Sequence, residues 1–217
     1  MMKIIEQSVR VLEPYSREDA VLDLKRIEHA GRTCYMSQDK ITPDSYVQFI
    51  RNLIKRGHTS VLEFASFHVE VITSRDVLAE FTRHRHNSFA VQSQRYVCAD
   101  KDGEICYIKP EFFLSPEEGS ADDVNYVKSR LWEDAMSCSA ESYVMLREVG
   151  AVAQDARKVL PNSHACVINT RANLRQWLSI FDLRCSSNVY PEMRKLMCMI
   201  RDAFYETFPE LKDKELV

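Results

Sequence analysis

The stretch RHRHNSFAVQSQRY, residues 83–96, sets three arginines and two histidines among serine, glutamine and a few apolar side chains. It lies in a 217-residue chain of net charge −3, with 29 basic and 32 acidic residues, so its positive charge is local. The segment before it, SRDVLAEFTRHR, reads as a helix capped by Ser74. Arg83, His84 and Arg85 then fall at its C-terminal end, where the helix dipole favours cations. The dipole accounts for one or two basic residues. It does not account for the hydroxyl and amide side chains that follow, or for Arg95-Tyr96. Such a mixture suits an anion: guanidinium forks grip phosphate, and Ser or Gln groups satisfy the remaining positions.

Composition narrows the class of ligand and partner. At 217 residues, with 45% hydrophobic and 28% charged residues, the chain reads as one globular domain. No apolar run approaches the ~20 residues of a membrane helix. The start, MMKIIEQSVRVLEPY, is too short and too charged for a signal peptide. The expectation is a cytoplasmic protein without a membrane partner. Seven cysteines without a C-x-x-C pair argue against a disulfide framework or a zinc ribbon, and no metal is expected. The acidic balance argues against a nucleic-acid binder. Among five glycines there is neither G-x-G-x-x-G nor a Walker A loop; phosphates, if bound, must be held by arginines and helix termini.

Periodicity gives a helix-rich α+β class. Residues 3–13 suggest a strand, and Ser16 with Asp19 resembles a capping box for a helix through His29, closed by Gly31. Pro43 and Asp44 open a second helix, with Val47, Ile50 and Ile54 at helical spacing and Gly57 at its end. SFHVEV, residues 66–71, alternates strictly and reads as a half-buried strand. EICYIKP follows as a short strand, and a long helix runs from about Asp122 to Glu148 and stops at Gly150. After Pro161, HACVIN reads as a strand and TRANLRQWLSIFDL as a helix. The last helix begins at Pro191, and Met193, Leu196, Met197, Ile200, Phe204 and Phe208 form its core face.

The spacing Arg83-His84-Arg85, seven residues, Ser93, one residue, Arg95 resembles the R-H-R-x7-S-x-R signature of the flavin-dependent thymidylate synthases (ThyX). GHTSVLEFASFHVEV upstream, and ARKVLP and NLRQWLSIFDLR downstream, resemble further segments of that family. The resemblance covers roughly residues 57–190. It implies an α+β fold with a central, mostly antiparallel sheet, and a homotetramer with active sites shared between subunits. It implies a methyltransferase that makes dTMP from dUMP. 5,10-Methylenetetrahydrofolate would supply the carbon, and FAD reduced by NADPH the hydride. No cysteine nucleophile is needed.

By position, the resemblance places Arg83, His84 and Arg85 on FAD, with His58, Ser60, Val91, Asn173, Arg175 and Ser179. It places Glu80, Arg83, Gln92, Ser93, Gln94, Arg95 and Arg157 on the nucleotide. Arg184 would meet the uracil ring and stabilise negative charge there, making C5 a better nucleophile. Arg157 and Arg184 could instead close surface ion pairs near helix ends. Glu63 and His68 read as packing or hydrogen-bonding residues, and His164 as a satisfied strand histidine without a role. Ala90-Val91-Gln92 departs from the polar residues family members often carry there, and Gln92 could compensate for Val91. Ser179 stands for an asparagine and Asn188 for a histidine. A paralogue acting at C5 of another pyrimidine nucleotide is the alternative; a nucleic-acid-binding module is disfavoured by the acidic charge.

Overall fold

The computed structural model describes residues 1–12, 16–101 and 103–212. The chain is 51% helical with a small antiparallel sheet, the α+β class expected. Its elements are β1 (Met2–Ile5), β2 (Ser8–Val11), α1 (Arg17–Thr33), α2 (Ser45–Lys55), β3 (Ser66–Ser74), α3 (Arg75–Phe81), β4 (Ser88–Val91) and β5 (Ile105–Ile108). Then come α4 (Val124–Glu148), α5 (Ala153–Ala156), β6 (Ala165–Asn173), α6 (Leu174–Arg184) and α7 (Pro191–Thr207). Four strands form one sheet in the order β2-β3-β6-β4, and β1 pairs in parallel with β5. The chain divides into two compact units. The first comprises Met1–Ser8, Val71–Arg83 and Ala90–Ile168; the second comprises Val9–Glu70, His84–Phe89 and Asn169–Val217.

In the second unit, α1 begins as its sequence requires. The Ser16 hydroxyl accepts from the Asp19 N–H, and the Asp19 carboxylate accepts from the Ser16 N–H at 2.8 Å. The helix does not stop at Gly31 but runs to Thr33. That glycine serves packing: a Cβ there would lie 2.6 Å from the Phe49 ring of α2. On α2 the buried residues are Tyr46, Ile50 and Leu53, with Val47 and Ile54 half-buried beside them. Gly57, at φ +70°, ends the turn as expected.

The alternation of SFHVEV holds, because Phe67, Val69 and Val71 are buried and the strand continues to Ser74. Phe67 sits edge-on to Trp177, Phe204 and Phe208, and the Trp177 indole N–H donates to its carbonyl at 3.0 Å. The α7 stripe named from sequence, Met193 to Phe208, is wholly buried. Each such side chain contributes roughly 1.5–3 kcal/mol of burial. In the first unit, Ile105 and Tyr107 of β5 pack with Met136, Ala140 and Tyr143 of α4. Asp123 caps α4, accepting from the Asn125 N–H at 2.7 Å, and Gly150 follows it at φ +92°.

Three further boundaries differ from the sequence expectation. The N-terminal strand is two strands, interrupted at Glu6-Gln7, and its expected last residue, Glu13, lies outside the described residues. Helix α3 ends at Phe81 rather than running through Arg85. Ser74 makes no capping bond to α3; its hydroxyl donates to the Asp76 carboxylate. Thr170, Arg171 and Ala172 belong to β6, and α6 begins only after Asn173, whose side chain accepts from the Gln176 N–H at 2.8 Å. An asparagine cap inside a continuous apolar pattern fixes that start where periodicity alone does not.

Candidate active site

The expected nucleotide-side residues other than Arg184 lie in the first unit: Glu80, Arg83, Gln92, Ser93, Gln94, Arg95 and Arg157. The expected flavin-side residues, Arg83 and Val91 excepted, lie with Arg184 in the second.

In the first unit, Gln92, Ser93, Gln94 and Arg157 line one cavity together with Tyr143 and His164. It encloses about 10 Å³, enough for a single water. Gln92 and His164 also border an adjoining cavity of about 260 Å³, close to the smaller ligand pockets of about 300 Å³. A hollow of about 640 Å³ in the second unit, along α1 at Leu22, His29 and Phe64, contains none of the expected residues.

Gln92 is committed to the backbone. Its N–H donates to the Val167 carbonyl at 2.9 Å, and its side-chain oxygen accepts from the Val167 N–H at 3.3 Å. It therefore extends the pairing of β4 with β6, beside Val91, which is half-buried on β4. Ser93 accepts from the Arg95 N–H at 3.2 Å, shaping the turn that presents the arginine. Gln94 meets a residue to which the sequence assigned nothing: its Nε2 lies 3.2 Å from Nδ1 of His164. Glu80 is half-buried on the last turn of α3.

Four of the expected arginines share one property. Among the described residues, Arg83, Arg85, Arg95 and Arg157 have no carboxylate partner, and all four are exposed. Arg95 lies over the Tyr96 ring, 5.3 Å from its centroid. Elsewhere arginines do find acids, as in Arg32 with Glu28 at 2.7 Å and Arg130 with Glu133 at 2.5 Å.

In the second unit, Arg184 and His84 come together: the Arg184 Nε–H donates to His84 Nε2 at 3.1 Å. Burial of the His84 ring, and then the positive charge of Arg184, hold its pKa below the ordinary value. A neutral imidazole is what can accept from a guanidinium. Arg175 pairs with Glu63 at 2.6 Å, both half-exposed, which bears out the hydrogen-bonding reading of Glu63. His58 and Ser60 are exposed on the turn before β3, and Ser179 is exposed on α6. The Asn173 oxygen is used as the α6 cap, leaving its N–H groups for a ligand. His68 is exposed on β3, and partial desolvation of its ring, then the positive charge of Arg171, lower its pKa.

A bound flavin must find hydrogen-bonding and anion-binding groups, and this unit offers both. Arg85 lacks an acid, and both polar atoms of the Asn87 carboxamide are sealed from solvent without a partner among the described residues. An orphaned buried amide costs about 1–3 kcal/mol unless something satisfies it. The donor set fits such a group.

A family model described as thymidylate synthase complementing protein matches residues 20–210, across both units. A flavin-dependent thymidylate synthase from Geobacter sulfurreducens is 34% identical over 175 residues, covering 77% of this chain and 71% of the relative. Its counterpart from Corynebacterium aurimucosum is 31% identical over 196 residues, covering 86% and 78%. The fold also matches a solved UMP/dUMP methylase, PolB from Streptomyces cacaoi bound with 5-Br dUMP. There the TM-score is 0.70, the identity 23% and the coverage 96% of both chains. A chain matched by this family model and by these relatives is an enzyme. More narrowly, it belongs to the flavin-dependent thymidylate synthase family.

Proposed function

We propose that the protein converts dUMP to dTMP, with 5,10-methylenetetrahydrofolate as carbon donor and FAD, reduced by NADPH, as cofactor. The observation that carries this reading is the set of unpaired guanidinium groups at Arg83, Arg85, Arg95 and Arg157. Acids outnumber bases 32 to 29 in this chain, so these arginines lack partners by placement and not by shortage. Guanidinium groups left open in this way suit phosphate esters.

Arg95 and Arg157 hold the nucleotide phosphate, and Ser93 and Gln94 complete its hydrogen bonds. His58, Ser60, Arg83, His84, Arg85, Asn173, Arg175 and Ser179 hold FAD, with Val91 in apolar contact. The flavin, when bound and reduced, supplies the hydride. His84, kept neutral by burial, accepts from Arg184 and fixes the plane of its guanidinium. Against a bound pyrimidine that fixed charge would stabilise negative charge as C5 attacks the one-carbon unit. The assembly is a homotetramer with shared sites, and the protein works in the cytoplasm without membrane or nucleic-acid partners. No helix among the described residues is long and apolar enough to cross a membrane.

Anaerobic turnover of the FAD-loaded protein with NADPH, methylenetetrahydrofolate and dUMP tests the reading. Thymidylate is expected, and it should disappear in Arg184→Ala. NADPH oxidation without thymidylate would refute it. One observation favours a second reading, a paralogue acting on another pyrimidine nucleotide. The side chain at Val91 is apolar where family members often carry a polar residue, and the neighbouring Gln92 oxygen already accepts from the Val167 N–H. Turnover of UMP or dCMP in place of dUMP would select that reading.

A further inference from the structure

His164 belongs to none of the signature segments, yet it is held on several sides in the first unit. It is 5% exposed. Its N–H donates to the Pro161 carbonyl at 3.0 Å, and it bridges to Tyr107 of β5. Its ring stands edge-on to the Tyr107 ring, at 6.1 Å between centroids and 85° between planes. Next door, Ser163 accepts from the Trp132 indole N–H at 3.2 Å, and its carbonyl accepts from the Ile108 N–H at 2.9 Å. The ring is thus held by backbone and packing, and its Nδ1 is set against Gln94 in the cavity that Ser93 and Arg157 also line.

A glutamine carboxamide has two orientations that differ little in shape and exchange its donor and acceptor. A fixed acceptor beside it selects one. We propose that His164 is a positioning residue whose Nδ1 holds the Gln94 carboxamide in a single orientation for a pyrimidine nucleoside monophosphate. The inference rests on the nucleotide-binding reading of residues 92–95. With one N–H given to His164, Gln94 keeps its Oε1 acceptor and its second N–H for the ligand. A nucleotide can engage that pair through a hydroxyl or imide donor and a carbonyl or phosphate acceptor. The role requires a neutral ring, since imidazolium would turn Nδ1 into a donor. Burial, and then the positive charge of Arg75, bring the His164 pKa down to about 4 and keep the ring neutral.

The test measures dUMP affinity and steady-state kinetics on FAD-loaded wild type, His164→Leu, His164→Asn, Gln94→Ala and the Leu/Ala double variant. Losing the contact should raise Kd and KM for dUMP about three- to tenfold in His164→Leu, a typical weight for one hydrogen bond, with kcat within about twofold. Asparagine, whose Oδ1 can stand where Nδ1 stood, should restore most of the affinity. The double variant should be no weaker than Gln94→Ala alone. Penalties that simply add, or an asparagine variant as weak as the leucine one, would overturn the proposal. Nitrogen-15 NMR of the wild type probes the contact without any substitution. It should show His164 neutral with an unprotonated, hydrogen-bonded Nδ1, and a protonated Nδ1 would equally overturn it. Wild type that binds none of dUMP, UMP and dCMP removes the functional reading and this inference together. Wild type that binds dUMP as His164→Leu does removes this inference alone.

Discussion

Acid should destabilise this protein in part through one residue. His164 has an ordinary pKa of 6.5 in the unfolded chain and about 4 in the folded one, because burial and Arg75 oppose its charge. Between those values the unfolded chain binds a proton there that the folded one does not, so protons favour unfolding. Stability falls as pH drops through 6.5 and levels off below about 4. Over that span, at about 1.4 kcal/mol per pH unit, the loss is about 3 kcal/mol. His164→Asn cannot titrate, so it should lack this part of the slope whatever its stability at neutral pH. His84 and His68, also shifted down, remain in both proteins and cancel in the comparison. Urea unfolding followed by circular dichroism from pH 7.5 to 4 gives both profiles. Converging curves, with the variant gaining about 3 kcal/mol on wild type towards pH 4, are expected. Parallel curves would refute the buried neutral ring, and with it the acceptor that Gln94 needs.

Other substitutions probe separate parts of the chain. Arg184→Lys keeps the charge but loses the planar fork and the Nε–H that His84 accepts. kcat/KM for dUMP should fall about 10- to 100-fold, the weight of one charged hydrogen bond, and steady-state kinetics within threefold of wild type would count against the assigned role. Gly31→Val drives a side chain into the Phe49 ring, 2.6 Å from the new Cβ. At about 1–3 kcal/mol for overpacking, the melting temperature should drop by about 3–10 °C, and an unchanged melt would show that Phe49 moves aside freely. Ser16→Ala removes half of the α1 capping box and should cost about 1 kcal/mol in chemical denaturation.

What the sequence made legible follows from how local each signal is. The α1 capping box, the alternation of SFHVEV and the stripe on α7 each sit within one element, and each is realised. The end of α3 and the start of α6 were misplaced because the helical patterns continue past both. Tertiary demands overruled pattern there: β6 needs Thr170 to Asn173 in its strand. Gly31 read as a stop because helix ends favour glycine, whereas its real constraint is a helix packed against it. In the site, the signature identified the arginines by spacing alone. The His84–Arg184 bond joins residues 100 apart in sequence and the Gln94–His164 contact residues 70 apart. No pattern along the chain carries either.

Beside the dense cationic stretch of this acidic protein, several acids pair with arginines elsewhere. Asp23 accepts from Arg26 at 2.6 Å, Glu28 from Arg32, and Glu70 from Arg10 at 2.7 Å. Glu28 is buried and also accepts from the Ser45 hydroxyl at 2.7 Å, so its charge is satisfied from two sides. Of these pairs Glu28–Arg32 is buried, and leaving that carboxylate without its partner would cost several kcal/mol. Arg83, Arg85, Arg95 and Arg157 receive no such carboxylate among the described residues. Net charge is a sum over both sets and cannot tell them apart. A chain that is acidic overall can therefore keep several arginines open for anions.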